Sequence, residues 1–225
     1  MYGTYTVLFY MNFIAGFAAF ATGCIFVRRE WPPAYKFLVV LSVVTYLTET
    51  LAMLWSGAAH RSNHWIYNLY LPLNCCGFLY FFYWASIHSR IRRINAWLLA
   101  AVPAGTVIAF SLRPGLSFLN TYAAIFYCFL LLLSCIGACM DLLLDKRYLR
   151  LGREPLFWFA CGLLLDCAGS IVEYAFFSYG EKMILFTLFT VLTFSTNIFL
   201  YIGTTGCFIC LRLGQAEGTG ISSGS

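Results

Sequence analysis

Three acidic residues lie inside hydrophobic stretches of this chain, where an ionised side chain is energetically costly. They are Glu49, Asp166 and Glu173. Carboxylates in hydrocarbon are tolerated when they face a bundle interior and are paired, hydrated or protonated, so each of the three is a candidate functional residue. No Lys or Arg lies at a comparable depth in these stretches. The carboxyl groups then have four options: they hold protons, hold a cation or proton on a transport route, meet a cationic ligand, or pair with residues of the 60–64 connection.

The acids belong to polar stripes that run along the hydrophobic stretches. The 155–178 stretch carries Asp166, Ser170, Glu173 and Tyr174. Their i, i+4, i+7 and i+8 spacing puts them on one helical face. Three other stretches carry similar sets of small and polar residues: Thr45, Thr48, Glu49, Ala52 and Ser56; Tyr67, Tyr70 and Asn74; and Thr193, Thr196, Asn197, Tyr201 and Thr204. Because lipid cannot satisfy polar groups, we expect these stripes to face one another.

The stripes together predict a polar seam between the second, third, sixth and seventh hydrophobic stretches. Its expected ligand- or proton-binding residues are Glu49, Asp166, Glu173, Asn74, Asn197, Tyr70, Ser170 and Tyr174. The hydroxyl groups and Asn68 are expected to serve mainly as hydrogen bonds between helices, each worth about 1 kcal/mol or less. The acids are expected to be functional, because Ser or Asn would make the same bonds at a lower desolvation cost.

The composition predicts a membrane protein made of helices. Hydrophobic residues make up 61% of the 225 residues and charged residues 10%, and the mean hydropathy is +0.80. A helix needs about 20 mostly apolar residues to cross a bilayer. Seven stretches qualify: 5–27, 35–58, 66–88, 96–112, 117–141, 155–178 and 183–211. We expect an all-α, polytopic transmembrane bundle of seven spans that forms one domain over 1–213, followed by a flexible Gly/Ser-rich tail at 214–225.

The basic residues are distributed unevenly over the connections, which predicts an orientation. Of the 14 Lys and Arg residues, only Arg61, Arg113 and Lys182 lie in the connections after the second, fourth and sixth stretches. The remaining basic residues lie on the opposite side. By the positive-inside rule, the N-terminus is outside and the C-terminus cytoplasmic, in an inner (plasma) membrane. The net charge of +5 is therefore a topology signal, and no nucleic-acid partner is expected.

Motifs of several membrane-protein classes are missing from the sequence. Lys36, Lys146 and Lys182 lie at the ends of stretches or between them, so no retinal Schiff base can form in mid-helix. Within the seven hydrophobic stretches, no Gly-x-Ser-x-Gly or His-Glu-x-x-His motif supplies a hydrolytic nucleophile or a metal site. The ten cysteines lie in or at the ends of the stretches and are expected to pack as small apolar residues. The sequence predicts no catalytic residue, no metal site and no cofactor.

Three segments carry a resemblance to known proteins. They are Tyr46-Leu47-Thr48-Glu49, Trp65-Ile66-Tyr67-Asn68-Leu69-Tyr70 and the hydrophobic run 156–165. With them, the chain resembles a family of small bacterial seven-span integral membrane proteins of unassigned function. The resemblance implies a seven-helix membrane fold and no particular activity. Seven spans also suit a 3+1+3 transporter architecture with parallel repeats, in which Glu49 and Asp166 would lie on equivalent helices.

The expected function is that of a sensor or receptor-like protein. It would bind a small ligand, cationic or amphiphilic, in a polar seam that opens outward, and a protein partner at the inner face would read the helix movements. The alternative is a proton- or cation-coupled transporter of a small solute, and a membrane-embedded enzyme is a third reading. The expected partners are the lipid bilayer, the small-molecule or cation ligand and the inner-face protein.

Overall fold

The described part of the chain forms seven α-helices. The structure is a computed structural model that describes residues 2–59, 62–116, 118–144, 151–177 and 183–219, and no strand occurs in these ranges. The helices are α1 (Tyr2–Phe26), α2 (Pro33–Ala59), α3 (His64–Ala85), α4 (Ser89–Leu112), α5 (Thr121–Leu144), α6 (Pro155–Phe177) and α7 (Met183–Thr219), with a short 3-10 helix at Leu151–Arg153. The prediction of an all-helical protein is confirmed.

Five of these helices, α2, α4, α5, α6 and α7, are long and apolar enough to cross a membrane. In α1, the apolar part at Tyr10–Phe26 is shorter. In α3, Asn68, Pro72 and Asn74 interrupt the apolar run. Large apolar side chains cover much of the outer surface of the bundle, and such a surface requires an apolar environment. The helices are thus those of a multi-pass membrane protein, whereas the count of seven spans stays a prediction.

Six of the seven helices form a closed ring, and α4 packs outside it. Around the ring the order is α1, α2, α3, α5, α6, α7 and back to α1, while α4 lies against α3 and α5. The last contact closes the ring with two helices that run in the same direction, since Gly16 lies against Tyr201 and Gly23 against Phe208. The halves α1–α3 and α5–α7 therefore follow one another around the ring in the same order.

The connections define two ends of the bundle. One end carries the connection between α2 and α3, with Asn63, and the connection between α4 and α5. We call it the Asn63 end. The other end carries the connections that follow α1, α3 and α5. It includes Ser86, which follows α3 directly, and we call it the Ser86 end.

Helix boundaries differ from the predicted spans mainly at polar ends. α4 begins at Ser89, well before the predicted residue 96, and α3 ends at Ala85. α7 continues to Thr219, into the segment 214–225 for which the sequence predicts a flexible tail, and the tail stays a prediction. Residues 220–225 lie outside the described residues. Hydropathy marks the part of a helix that suits hydrocarbon, whereas the hydrogen-bonded ladder continues through polar turns beyond it.

A fully buried carboxylate holds the connection between α3 and α4 against α5 at the Ser86 end. Asp141 accepts hydrogen bonds from the backbone N–H groups of Ile87 (2.6 Å) and His88 (3.1 Å). Its Oδ1 also lies 2.6 Å from Nδ1 of His88. The sequence predicted no role for Asp141, because it does not show which N–H groups this carboxylate meets. Three N–H donors thus compensate the cost of burying the Asp141 carboxylate.

α6 and α7 approach each other more closely than side chains at their crossing would permit. A Cβ atom on Gly162 would lie 2.7 Å from the carbonyl oxygen of Phe199, and one on Gly203 would lie 2.6 Å from that of Trp158. Small residues that allow such close approach are a common basis of helix association in membranes. The two glycines thus set the distance at which the polar faces of α6 and α7 meet.

We predict that Gly203→Ala lowers the free energy of unfolding by about 1–3 kcal/mol, because the added methyl group meets backbone that cannot move aside alone. Gly152→Ala is the matched control, since a Cβ there meets nothing within 4 Å. Its expected effect is within about 0.5 kcal/mol. Unfolding of the purified variants in detergent measures both changes. Equal stability of the two variants would contradict close packing of α6 on α7.

Candidate functional site

A polar cavity of about 340 Å³ lies inside the ring, in the half of the bundle nearer to the Asn63 end. We call it the acid cavity. All eight residues predicted to bind a ligand or proton line it: Glu49, Asp166, Glu173, Asn74, Asn197, Tyr70, Ser170 and Tyr174. α1 and α5 also contribute side chains, whereas α4 supplies none of the described lining residues. These eight residues thus share one cavity.

The three acids reach the acid cavity from two helices. Glu49 belongs to α2, and Asp166 and Glu173 lie about two turns apart on α6. Asp166 is close enough to both Glu49 and Glu173 for their charges to interact. Among the described lining residues there is no Lys or Arg. If all three carboxyl groups were ionised, the cavity would hold three negative charges. An apolar interior tolerates such charges only when cations balance them, and otherwise the carboxyl groups take up protons.

Two tyrosines of α3 donate hydrogen bonds across to α2. The Tyr67 hydroxyl donates to Oε2 of Glu49 (3.0 Å), and the Tyr70 hydroxyl donates to Oγ1 of Thr45 (2.7 Å). The polar stripes of α2 and α3 therefore face each other. The bond from Tyr67 fixes the orientation of the Glu49 carboxyl group at the cavity wall.

Several acceptor oxygens in the acid cavity are buried without a hydrogen-bond partner among the described residues. They include Oδ1 of Asp166, Oδ1 of Asn74 and Oδ1 of Asn12. Buried polar atoms are normally satisfied, and an unsatisfied one costs about 1–3 kcal/mol. These oxygens are therefore suited to accept hydrogen bonds from, or to coordinate, a cation that enters the cavity.

Aromatic side chains make up much of the remaining wall. The tyrosines and phenylalanines that line the acid cavity are Tyr67, Tyr70, Tyr127, Tyr174, Tyr201, Phe78 and Phe194. The face of an aromatic ring attracts a cation within about 6 Å, most strongly where water is excluded. The wall therefore suits an organic cation at least as well as an inorganic ion.

The 60–64 connection was one predicted source of a counter-charge. His60 and Arg61 lie outside the described residues. His64, which begins α3, lines the acid cavity. Burial lowers the pKa of His64 and so favours the neutral imidazole near neutral pH. His64 is therefore a weak counter-charge for the acids.

The cavity wall also includes side chains from two helices, α1 and α5, that were not part of the predicted seam. Asn12 comes from α1, and Tyr127 and Cys128 come from α5. The sequence offers a signal for Asn12, because Asn12 is an amide within the apolar run of α1. Tyr127 and Cys128 gave no signal, because their helix carries no acid in its first half. Their place in the wall follows from the closure of the ring between α3 and α5.

No protein-family model, curated protein or solved structure matches the chain. The resemblance to small bacterial seven-span proteins therefore stays a prediction. The function has to be inferred from the chemistry of the acid cavity.

We predict opposite effects of one substitution at two buried acids. Asp141→Leu lowers the free energy of unfolding by about 3 kcal/mol or more, because it leaves buried donors without their acceptor. Asp166→Leu raises it by about 1–3 kcal/mol, because it removes an unsatisfied acceptor and lets the cavity take the larger side chain. Unfolding in detergent, without added ligand, measures both. A loss of stability at Asp166 as large as that at Asp141 would show that Asp166 is structural.

Proposed function

We propose that this protein is a receptor-like membrane protein that binds a small cationic ligand in the acid cavity. The observation that carries the proposal is the convergence of Glu49, Asp166 and Glu173 on one cavity with no Lys or Arg in its described wall. The unsatisfied oxygens and the aromatic rings add to it, since both are complementary to a cation.

The proposal includes seven membrane spans with the N-terminus outside and the C-terminus cytoplasmic, in an inner (plasma) membrane. The ring supports α1 and α3 as spans, because both pack beside helices that are long and apolar enough to cross. The polar residues that lower the hydropathy of α3 include Asn74, which faces the acid cavity. The basic residues at the Ser86 end support a cytoplasmic location of that end. The acid cavity then lies in the outer half of the membrane.

A cation in the acid cavity interacts with acids on opposite parts of the ring. Glu49 on α2 and Asp166 on α6 are attracted to the same charge, so occupancy draws α2 and α6 together. A helix transmits such a displacement along its length, and α6 begins at the Ser86 end with Pro155. A protein partner at the basic inner face reads the change. The ligand shifts the equilibrium only by its difference in affinity for the two arrangements.

We predict that small cations stabilise the purified protein and that the acids determine their affinity. The thermal unfolding temperature is measured against increasing tetramethylammonium, with sodium for comparison. Glu49→Gln and Asp166→Asn each weaken binding about tenfold, which corresponds to about 1.4 kcal/mol for one lost charge interaction. Glu30→Gln is the matched control, since Glu30 is exposed in the connection before α2. If tetramethylammonium shifted the unfolding temperature equally in all variants, the result would contradict the proposal.

A proton- or cation-coupled transporter is the second candidate function. The observation that favours it is the order of the ring, in which α1–α3 and α5–α7 repeat around the cavity with α4 outside. This order is compatible with two parallel repeats related by an axis along the membrane normal, which would put the middle helices α2 and α6 in equivalent places. Glu49 lies on one middle helix and Asp166 on the other.

Accessibility from the two sides distinguishes the two candidates. Cys128 and Cys167 line the acid cavity, so the native cysteines are first replaced. Ser170→Cys then places one thiol in the cavity, one turn from Asp166. For a receptor, we expect membrane-impermeant thiol reagents to react from the Asn63 end alone. Reaction from both sides of sealed vesicles would favour the transporter.

A further inference from the structure

A second cavity, of about 290 Å³, adjoins the acid cavity between α1 and α2. We call it the side cavity. The two cavities share the side chains of Asn12, Glu49, Asn63, Tyr67, Phe194 and Tyr201. The other described residues that line the side cavity are Phe13, Gly16, Tyr46, Met53 and Ser56. Glu49 is the one acid among its described lining residues, so Glu49 stands between a space with three acids and a space whose other described lining residues are uncharged.

The side cavity lies where α1 meets α2, two neighbours in the ring that make few contacts. α1 packs mainly against α7 and only lightly against α2. The two helices meet at an aromatic cluster around Tyr46, whose ring centroid lies 5.3 Å from that of Phe13 and 5.4 Å from that of Phe20. From this cluster, the side cavity extends to Ser56, near the Asn63 end of α2.

The surface on either side of this gap is apolar and exposed. On α1, Ile14 follows Phe13 and is 64% exposed, and on α2, Leu54 follows Met53 and is 58% exposed. Residues one position apart on a helix point in different directions, so Phe13 and Met53 line the side cavity while Ile14 and Leu54 face outward. The side cavity, which Glu49 lines, thus adjoins exposed apolar surface on α1 and α2.

We propose that the ligand is an amphiphilic monocation that binds with its charged head in the acid cavity and its apolar chain in the side cavity. This inference rests on the proposed function. A small inorganic cation would use only the acids, whereas the apolar walls beside Glu49 complement a hydrocarbon chain. Such a molecule concentrates in the bilayer, and the loosely packed gap between α1 and α2 gives it a lateral route to Glu49.

A series of alkyltrimethylammonium ions tests the length of the bound chain. Binding of tetramethyl-, butyltrimethyl- and hexyltrimethylammonium to the protein in lipid nanodiscs is measured by calorimetric titration. Each methylene group buried in the side cavity is expected to raise the affinity about fourfold. Partitioning of these ions into the lipid also increases with chain length. The contribution of the side cavity to affinity is therefore measured with variants that change only the side cavity.

Met53→Trp fills the side cavity and Leu54→Trp adds the same ring on the lipid-facing surface. We expect Met53→Trp to lower the affinity for hexyltrimethylammonium at least tenfold and to leave the affinity for tetramethylammonium unchanged. Leu54→Trp is expected to change neither affinity. Met53→Phe, a smaller change, provides the same comparison if the tryptophan variant does not fold.

The outcomes separate the two proposals. If none of the three cations binds the wild-type protein, both the proposed function and this inference fail. If tetramethylammonium binds and Met53→Trp or Met53→Phe leaves the affinity for hexyltrimethylammonium unchanged, the side cavity does not hold the chain. In that case the inference is overturned and the proposed function stands.

Discussion

The cost of burying carboxyl groups among apolar helices is the constraint on which the rest of this structure depends. An acid that faces hydrocarbon without a partner is strongly unfavourable, so α2 and α6 must turn Glu49, Asp166 and Glu173 away from the surface. Their shared target is the interior of the ring. α4 carries no acid and supplies none of the described lining residues of the acid cavity, and it packs outside the ring against α3 and α5. The arrangement of the bundle thus follows the polar faces of its helices.

Two buried aspartates show how an interior can treat the same side chain in opposite ways. Asp141 is fully buried and receives backbone and imidazole N–H groups, so its charge stabilises the connection between α3 and α4. Asp166 keeps a buried oxygen without a partner among the described residues. A buried carboxylate with a structural role is expected to have hydrogen-bond donors within the protein, whereas a carboxylate that binds a ligand is not. The contrast supports a binding role for Asp166.

The ring combines a tightly packed side with a loosely packed one. At Gly162 and Gly203, α6, the helix that carries Asp166 and Glu173, packs closely against α7. Elsewhere in the ring, α1 and α2 meet at the aromatic cluster around Tyr46, and the side cavity lies between them. A binding site needs both properties, because its groups must be held in place while a ligand still has a way in. For the proposed amphiphilic cation, that way is between α1 and α2.

The sequence by itself determined the helical class, the membrane-like composition and the polar faces of α2, α3, α6 and α7. These follow from hydropathy and from a period of 3.6 residues, which are local properties of a chain. Only the tertiary structure decided that α1 and α5 join the cavity wall with Asn12 and Tyr127, and that α4 does not. It also decided that the Asp141 carboxylate accepts hydrogen bonds from the connection between α3 and α4, and that a side cavity adjoins Glu49. The reason is physical: periodicity tells which face of a helix is polar, whereas the neighbour that covers this face is chosen by the packing of all helices together.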